Sequence, residues 1–505
     1  MSKSVSDECD AMTPLPQILR TVAEALREQG ARALIVGGAV RDMVMGNEIK
    51  DYDVEVYGLD SLASLSEILS RYGKVNFVGK SFGILKLDTK AGVFDFAFPR
   101  TERKVAKGHK GFAVDLDGGM SFEEAAKRRD FTVNALGYDI LSGEIFDPYG
   151  GLNDIAYGVL RHIEDETFVE DPLRVYRAVQ FAARFGFDVA EETAELCRRM
   201  VREEMLAQLP SERVYEEWKK LMLKASEPSV GFELMRSWGV LERHFPELYA
   251  LVGVPQDSKW HPEGDVWVHT MMSVDAMASM LEEEGMKRKS QKQKLKLLFA
   301  VLCHDLGKPL TTTIELENGE TVFWKALVTT DSVSVETPAD TLRSVNRIRA
   351  IGHEKAGVEP TQALLYRLTN EHDFIKSVLP LVEHHLKPSQ FYAQGAKAGA
   401  IRRLATKVNI EALVSVAKAD FLGRTTEEAK SGEYAAGEWL LKEAKRLAVN
   451  EKAAEPLLRG RDLIALGLSP SARFKKILDD IYEMQMDGEI ETKDDALAYV
   501  KRRYL

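Results

Sequence analysis

The apolar pattern of this chain changes once, after Gly151, and this change constrains the fold more than any other feature. Before it, residues 31–150 mix short runs of β-branched and aromatic residues with helical segments, which is typical of an α/β or α+β domain. After it, apolar residues recur with a helical period up to the end of the chain. We therefore expect an α+β protein with an N-terminal α/β head and all-α domains behind it.

Within the head, the pattern predicts strands and two helices. The expected strands are 34–36, 54–56, 75–78, 84–87 and 93–98, and the expected helices are 62–71 and 121–129. Ser121 and Glu124 have the spacing of a capping box. Further along, the stretch 311–345 is rich in Thr, Ser and acidic residues, and we expect a long loop there.

Length and charge limit the function classes. A chain of 505 residues is long enough for three or four domains at roughly 100–200 residues each. Its longest apolar run, 295–302, is far too short to span a bilayer. The acidic N-terminus lacks the apolar segment of a secretory signal. We expect a cytoplasmic protein without a membrane partner, and the sequence leaves its oligomeric state open.

The net charge of −11 argues against a uniformly basic nucleic-acid-binding surface. Any contact with RNA must therefore be local, and the candidate basic segments are 100–110, 287–296 and 501–503. Each of them is also compatible with an ordinary solvated face. The three cysteines, at positions 9, 197 and 303, are too far apart to form a metal or disulfide pattern.

Two features of the head predict a site for phosphate and metal. Gly37 and Gly38 directly follow a strand, where missing Cβ atoms let backbone N–H groups approach a triphosphate, although the pair also suits a plain tight turn. Asp51 and Asp53 are two apart on a strand, so both carboxylates face the same way and suit Mg²⁺. Asp95, on another predicted strand, is either a third carboxylate of this site or an exposed edge residue.

Several segments in order resemble the bacterial class II tRNA nucleotidyltransferase and poly(A) polymerase family. They are GGAVRD, DYD, RRDFTVNAL (128–136), DPYGGLND (147–154) and EDPLRVYRAVQFAARFGF (170–187). The resemblance spans about residues 30–245 and implies a polymerase-β-like head in which Asp51 and Asp53 hold catalytic Mg²⁺, while Asp95 stays a candidate third catalytic carboxylate. It also implies that Arg128, Arg129, Asp130 and Asn134 contact the incoming nucleotide, beside the candidate phosphate loop of Gly37, Gly38, Arg41 and Asp42.

Asp171 and Arg174 allow two interpretations. Alone, they suggest a helix start, with Asp171 as cap, Pro172 at the first helical position and a local ion pair. The family resemblance instead makes them an amino-acid template. Adenine and cytosine each offer an amino donor beside a ring-nitrogen acceptor, which matches a carboxylate and a guanidinium. Arg177 would extend the guanidinium face.

Histidines and aspartates in the helical region have metal-ligand spacing. A lone histidine on a helix is usually structural, but here most histidines cluster, and HPEGD with CHDLGK resembles the HD phosphohydrolase superfamily. The implied ligands are His269, His304, Asp305, His353, His384 and Asp420. Which of His353, His384 and His385 coordinate stays open. Such ligands suit a divalent transition metal such as Ni²⁺ or Mn²⁺.

The resemblances imply template-independent addition of CMP and AMP, from CTP and ATP, to the 3′ end of tRNA. They also imply an HD module that hydrolyses phosphate esters such as 2′,3′-cyclic phosphates. The alternatives are a poly(A) polymerase, a partial enzyme adding only CC or only A, and an HD hydrolase whose head merely binds nucleotide. A non-catalytic RNA-binding protein would not need two metal-type sites.

Two further segments bear on these alternatives. Segment 104–119 matches the family's flexible loop but departs from its commoner bacterial form, and segment 460–489 resembles the family's tRNA-binding tail. The predicted organisation is a helical extension (1–30), a nucleotidyltransferase head (31–150), a helical neck (151–250), an HD domain (251–430) and a helical tail (431–505).

Overall fold

The N-terminal part of the chain is built on a mixed β-sheet. The computed structural model describes residues 15–78, 83–104, 112–116, 118–324, 326–328, 333–335 and 345–505. These form two units, Met1–Leu221 with Ser237–Gly239, and Met222–Arg236 with Val240–Leu505. The finer division into five segments stays a prediction.

The first five described strands of the first unit were expected from the sequence, and the six that follow were not. The strands are β1 (Arg32–Val36), β2 (Asp53–Tyr57), β3 (Lys74–Val78), β4 (Ile84–Thr89), β5 (Gly92–Ala97), β6 (Arg100–Lys104), β7 (Phe112–Leu116), β8 (Gly137–Asp139), β9 (Ile145–Phe146), β10 (Val159–Leu160) and β11 (Asp188–Val189). In the described residues, seven of them form one sheet in the order β3-β4-β5-β2-β1-β8-β9. The β2–β5 pair is parallel, so the two strands run in the same direction, and Asp53 on β2 lies opposite Asp95 on β5.

Several helices of the first unit contact its strands. In chain order, the helices are α1 (Gln17–Glu28), α2 (Gly38–Val44), α3 (Leu62–Leu69), α4 (Phe122–Lys127), α5 (Gly151–Tyr157), α6 (Asp165–Glu170), α7 (Leu173–Phe185), α8 (Glu191–Arg202) and α9 (Ser211–Lys224), which continues into the second unit. Helices α1, α2 and α3 contact strands of the large sheet, and α7 contacts the short pair β10–β11. The predicted capping box of Ser121 and Glu124 starts α4. Leu26, Ile35 and Phe96 are almost fully buried in one core, because β1 is apolar on both faces and lies beneath α1.

The second unit is mainly helical. Its helices are α10 (Pro228–Ser237), α11 (Val240–His244), α12 (Pro246–Tyr249), α13 (Val266–Leu281), α14 (Glu284–Lys287), α15 (Gln291–Cys303), α16 (Lys308–Thr311), α17 (His353–Ala356), α18 (Val358–Leu368), α19 (His372–His384), α20 (Lys387–Gln394), α21 (Ala398–Ala405), α22 (Ile410–Leu422), α23 (Glu427–Lys430), α24 (Ala435–Arg446), α25 (Gly460–Ala465), α26 (Arg473–Asp487) and α27 (Lys493–Tyr504). Helix α13 packs on α15 and α22, and α15 packs on α19. Among the described residues, no helix combines the length and apolar character needed to cross a membrane.

The long loop predicted for 311–345 was wrong, because strands occupy part of this stretch. They are β12 (Thr312–Leu316), β13 (Thr321–Phe323), β14 (Ala326–Val328), β15 (Val333–Val335) and β16 (Val345–Ala350). Strands β13, β12 and β16 form a small sheet, so the HD region is not purely helical. These strands are short and mostly solvent-facing, with Ile314 fully buried, so their composition resembles that of a polar loop.

Candidate active sites

Three carboxylates come together at the neighbouring strands β2 and β5 of the large sheet. Asp53 begins β2, Asp51 lies two residues before it, and Asp95 on β5 is the register partner of Asp53. Desolvation by the surrounding protein raises the pKa of Asp53, opposed by Arg129 and reinforced by Asp95 and Asp51. Lys86 Nζ lies 3.3 Å from Asp95 Oδ1. The structure therefore gathers all three predicted carboxylates, although Asp51 precedes the strand rather than lying in it.

Glu55 is a residue of this site that the sequence analysis missed. It follows Asp53 on the same face of β2, is 5% exposed, and accepts hydrogen bonds from Arg128 Nη2 at 3.2 Å and Arg129 Nη2 at 3.0 Å. Tyr57 also donates to it at 2.8 Å. Glu55 thus fixes the two arginines at a pocket of about 190 Å³ that Asp53 and Asp95 also line. Its spacing of two from Asp53 could have indicated this role, but Val-Glu-Val also fits any half-buried strand.

Two features require glycine at position 37, the conformation of its backbone and the closeness of Arg129. Its φ is +72°, and an added Cβ would lie 2.6 Å from Arg129 Nη1. Gly38, the first residue of α2, has ordinary space, since the nearest atom to an added Cβ would be Arg41 Nη2 at 3.4 Å. The first glycine therefore makes room for the arginine that Glu55 holds, a reason that the sequence pattern alone does not supply.

A buried chain of polar side chains joins three predicted nucleotide-binding segments. Arg41 donates to Asp42 Oδ1 at 2.7 Å and to Asn134 Oδ1 at 2.5 Å. Asn134 Nδ2 donates to Asp130 Oδ1 at 2.9 Å, and Arg177 Nε donates to Asp130 Oδ2 at 2.6 Å. Burial opposes ionisation of Asp130, but Arg177 and Asn134 outweigh it and lower its pKa. These residues therefore form one connected support, in which the guanidinium groups are already paired.

Asp171 and Arg174 have partners other than each other. The Asp171 carboxylate accepts from Leu173 N at 3.1 Å and from Arg213 Nη2 at 2.8 Å. Arg174 donates to the carbonyl oxygens of Thr167 at 2.8 Å and Arg128 at 2.7 Å. The expected helix start is shifted by one residue, because α7 begins at Leu173 with Pro172 in the capping position. Asp171 still accepts from the first N–H of α7, and its side chain makes no ion pair with Arg174. Sequence reasoning missed Arg213 because it lies 42 residues away on α9.

The second unit gathers a compact group of buried histidines and aspartates, which we call the HD cluster: His269, His304, Asp305, His353, His385 and Asp420. His269 Nε2 lies 3.1 Å from Asp420 Oδ1, and His304 Nε2 lies 3.1 Å from Asp305 Oδ2. His353 Nε2 lies 3.3 Å from the other Asp305 oxygen. Helices α13 and α22 supply one residue each, and the other four lie at helix ends, so the cluster forms only in the folded bundle.

Backbone carbonyls orient three of the rings. The Nδ1 atoms of His304, His353 and His385 lie 2.6 Å from Val301 O, 2.7 Å from Ala350 O and 2.7 Å from Val382 O. Because a carbonyl only accepts, each Nδ1 carries the hydrogen, and Nε2 offers a lone pair to the cluster. The Nε2 atoms of His353 and His385 lie 3.3 Å apart. Nitrogen lone pairs that face each other beside two buried carboxylates suit a cation, and this donor set fits a divalent transition metal.

His384, one of the ligands implied by the sequence, lies outside the cluster, and His385 takes its place. His384 is the last residue of α19, and His385 caps the helix. Adjacent helical residues point about 100° apart, and here the ring of His385 is the one that faces the cluster. Burial lowers the pKa of His385 to about 3, which keeps its ring neutral and available as a ligand.

Four further polar residues of this site were not predicted. Glu263 Oε1 lies 2.9 Å from His261 Nδ1 and 2.8 Å from His269 Nδ1, so it orients the ring of His269. Lys308 Nζ lies 2.7 Å from Asp305 Oδ2, and Arg424 Nη2 lies 3.1 Å from Asp420 Oδ1. HPEGD and HDLGK contain three of these residues, but the sequence gives no sign of which side chains face the site.

The HD cluster opens into a pocket of about 240 Å³. Lys308, Arg424 and Arg349 line it together with four cluster residues, Asp305, His353, His385 and Asp420. Burial opposes ionisation of Asp305, but His304 and Lys308 outweigh it and hold its pKa well below the usual value. Anionic ligands, a place for a cation and nearby positive charges together suit a metal-bound phosphate ester.

Models of three protein families match the chain in order. They are the poly(A) polymerase head domain at residues 33–161, the probable RNA and SrmB-binding site of polymerase A at 186–251, and the HD domain at 266–424. The HD match contains every residue of the HD cluster and Arg424.

Curated relatives match this chain over most of their length. The multifunctional CCA protein of Pasteurella multocida (strain Pm70) is 36% identical over 405 residues, which cover 77% of this chain and 84% of the relative. That of Laribacter hongkongensis (strain HLHK9) is 36% identical over 406 residues, covering 79% and 86%.

Solved structures share the fold. A CCA-adding enzyme in complex with CTP aligns with a TM-score of 0.61 and 20% identity over 99% of this chain and 98% of that one. The Thermotoga maritima CCA-adding enzyme in complex with tRNA aligns with a TM-score of 0.57 and 19% identity, over 99% and 98%. Because the family models match in order and the relatives exceed one-third identity over most of both chains, this chain belongs to the family of multifunctional CCA proteins.

Proposed function

We propose that this protein adds CMP and AMP, from CTP and ATP, to the 3′ end of tRNA without a nucleic-acid template. The observation that carries the proposal is the pocket where Asp53 and Asp95 lie in register beside Arg128 and Arg129. The names of the relatives support it, as do related structures of CCA-adding enzymes with CTP, ATP and tRNA.

Asp51, Asp53 and Asp95 provide the oxygen ligands that Mg²⁺ prefers. Mg²⁺ bound there would activate the tRNA 3′-hydroxyl and stabilise the leaving pyrophosphate. Glu55 holds Arg128 and Arg129 in place, and both guanidinium groups then orient the triphosphate. The hydrogen-bonded chain of Arg41, Asn134, Asp130 and Arg177 would hold these nucleotide-binding segments in place.

Base choice is assigned to Asp171 and Arg174. Asp171 would accept from the amino group of cytosine or adenine, and Arg174 would donate to the adjacent ring nitrogen. Guanine and uracil present the opposite order and would leave both groups unpaired. Arg213 donates to both carboxylate oxygens of Asp171, at 3.4 and 2.8 Å, so it orients this residue as an acceptor.

The HD module is proposed to hydrolyse phosphate esters, including 2′,3′-cyclic phosphates at RNA ends. The ligands fall into two groups, His269 with His304 and Asp420, and Asp305 with His353 and His385, which suits one or two ions such as Ni²⁺ or Mn²⁺. A metal bound there would supply a hydroxide by lowering the pKa of bound water. Lys308 and Arg424 would hold the phosphate. Cleavage of the cyclic phosphate at its 3′-oxygen would free the 3′-hydroxyl and leave a 2′-phosphate, and hydrolysis of that monoester would complete an end that the head can extend.

For the tail, we propose contacts with tRNA through shape and phosphates. Arg473, Lys475 and Lys476 begin α26, and Lys501, Arg502 and Arg503 lie in the last turn of α27. Much of the predicted flexible loop, 104–119, lies outside the described residues, and so does much of the basic segment 100–110. Cytoplasmic location stays part of the proposal.

The deciding experiment incubates the protein with labelled tRNA that lacks its 3′ end and sizes the product at single-nucleotide resolution. Two cytidines with CTP alone, and a completed CCA end with CTP and ATP together, are expected. A stop after CC with both nucleotides, a single A on tRNA ending in CC only, or a long A tail would favour the partial enzymes or a poly(A) polymerase. Absence of any addition would leave the HD hydrolase with a nucleotide-binding head as the better account.

A further inference from the structure

An exposed aromatic ring lies at the mouth of the HD pocket. Trp260 lines this pocket together with Asp305 and His353, yet 55% of its surface is exposed. Tryptophan contributes a large apolar area and is usually covered in a folded protein. An uncovered ring beside a polar, metal-type pocket therefore points to a planar ligand group.

The position of Trp260 is fixed by its neighbours. The backbone N–H groups of Trp260 and His261 both donate to Asp257 O at 3.0 Å. The ring of His261 bonds Glu263 and lies 4.6 Å, between centroids, from the ring of His269. The residue next to Trp260 is thus tied to a cluster residue, so Trp260 is held at the rim of the pocket.

The size of the pocket indicates which part of a substrate would meet this ring. At about 240 Å³ it is smaller than the ~300–1,000 Å³ of ordinary small-molecule sites. Lys308, Arg424 and the carboxylates of Asp305 and Asp420 line it, and both carboxylates are buried, which suits a phosphate ester on a metal. A nucleobase attached to that phosphate through ribose would remain at the rim. Lys259 Nζ, 5.3 Å from the centroid of the Trp260 ring, adds a positive charge there.

We propose that Trp260 stacks on the nucleobase of the terminal nucleotide while its phosphate ester lies over the HD cluster. The module thereby selects nucleotides and RNA 3′ ends over small phosphate esters. This inference rests on the proposed phosphohydrolase function. Stacking tolerates every base because each has a π-face, so no base preference is expected.

The test compares the full-length wild type with W260A, W260F and, as a control, Y366A. Tyr366 is 43% exposed on α18 of the same unit and does not line the pocket. Hydrolysis of adenosine 2′-monophosphate is compared with that of β-glycerophosphate, a secondary phosphate ester without a base. W260A should raise KM for the nucleotide roughly ten- to hundredfold, with little change in kcat. Neither KM nor kcat for β-glycerophosphate should change. W260F should retain most of the affinity, and Y366A should match the wild type.

A second measurement needs no hydrolysis. Titration with adenosine 2′-monophosphate should quench tryptophan fluorescence more in the wild type than in W260F. Nucleotide bound at the head would affect both proteins equally, so the difference reports on position 260 alone. Equal quenching, or equal losses of W260A on both substrates, would overturn the stacking role. A metal-replete wild type inert on both substrates would instead contradict the phosphohydrolase proposal, and the fluorescence difference would still decide the role of Trp260.

Discussion

Asp53 and Asp95 are register partners on two parallel strands, so their carboxylates lie on the same face of the sheet, one strand spacing apart. Like charges in this position destabilise a sheet unless a cation lies between them. The relationship explains why these residues, with Asp51, are the candidates for binding Mg²⁺.

We expect Asp51→Ala or Asp53→Ala to abolish nucleotide addition and leave tRNA binding largely intact, because the lost charge serves metal ions rather than RNA. Incorporation of labelled nucleotide and a tRNA gel-shift assay measure the two properties. Asp88→Ala is the matched control, since Asp88 is an exposed aspartate on β4 of the same sheet. Retention of a tenth of wild-type turnover by both variants would remove this site assignment.

The pKa of Asp53 predicts a dependence of stability on pH. Because the folded pKa is raised, the contribution of Asp53 to stability is complete below its unfolded pKa of about 4 and is lost as pH rises through the folded value. Without divalent cations, Asp53→Asn should therefore have a higher Tm than the wild type at pH 7, with the difference shrinking toward pH 4. Mg²⁺ should raise the Tm of the wild type more than that of the variant. Equal effects of Mg²⁺ on both would argue against a metal at Asp53.

Asp171→Ala should relax base choice, because it removes the acceptor for the amino group of cytosine or adenine. Misincorporation of GMP and UMP, each relative to CMP, measures this effect. Arg213→Met should relax the choice less, since it removes only the partner that orients Asp171. If Asp171→Ala excluded GTP and UTP as well as the wild type does, Asp171 would be a helix cap and nothing more.

His385→Ala should lose bound metal, while the adjacent His384→Ala keeps it, because only His385 faces the cluster. Metal content per chain, measured by atomic emission after dialysis, separates the two variants. Chelation should lower the Tm of the wild type and of His384→Ala, since an ion at a hundred times its Kd stabilises the folded state by about 2.7 kcal/mol. Loss of metal from His384→Ala alone would reverse the assignment.

His304→Ala combined with Asp305→Ala should abolish hydrolysis of phosphate monoesters and 2′,3′-cyclic phosphates and leave nucleotide addition nearly unchanged. The reason is that both residues belong to the HD cluster and neither lies in the unit that holds Asp53. Parallel assays on one preparation compare the two activities. A wild type inert toward both substrate classes with Mg²⁺, Mn²⁺ and Ni²⁺ alike would show that the module is structural.

Local patterns were enough to predict the first five strands of the head, the capping box at Ser121 and the α+β class, which the structure confirms. Such features depend on neighbours within a few residues. The alternation of apolar and polar side chains around Val54 and Phe94, for example, is sufficient to predict β2 and β5. Local patterns did not predict strands β6 to β9. The small sheet that begins at Thr312 escaped prediction because its strands are short and mostly polar on the surface.

The sequence by itself determined which residue types were available and in what order: the carboxylates of Asp51 and Asp53, the arginines at 128–129, and the spaced histidines. Only the tertiary structure decided their partners. It paired Asp171 with Arg213 and brought Glu55 within hydrogen-bonding distance of the arginines at 128–129. It also turned His385 rather than His384 toward Asp305. These choices depend on the rotation of each helix and the register of each strand in the packed core, where a change of one residue points a side chain in a different direction.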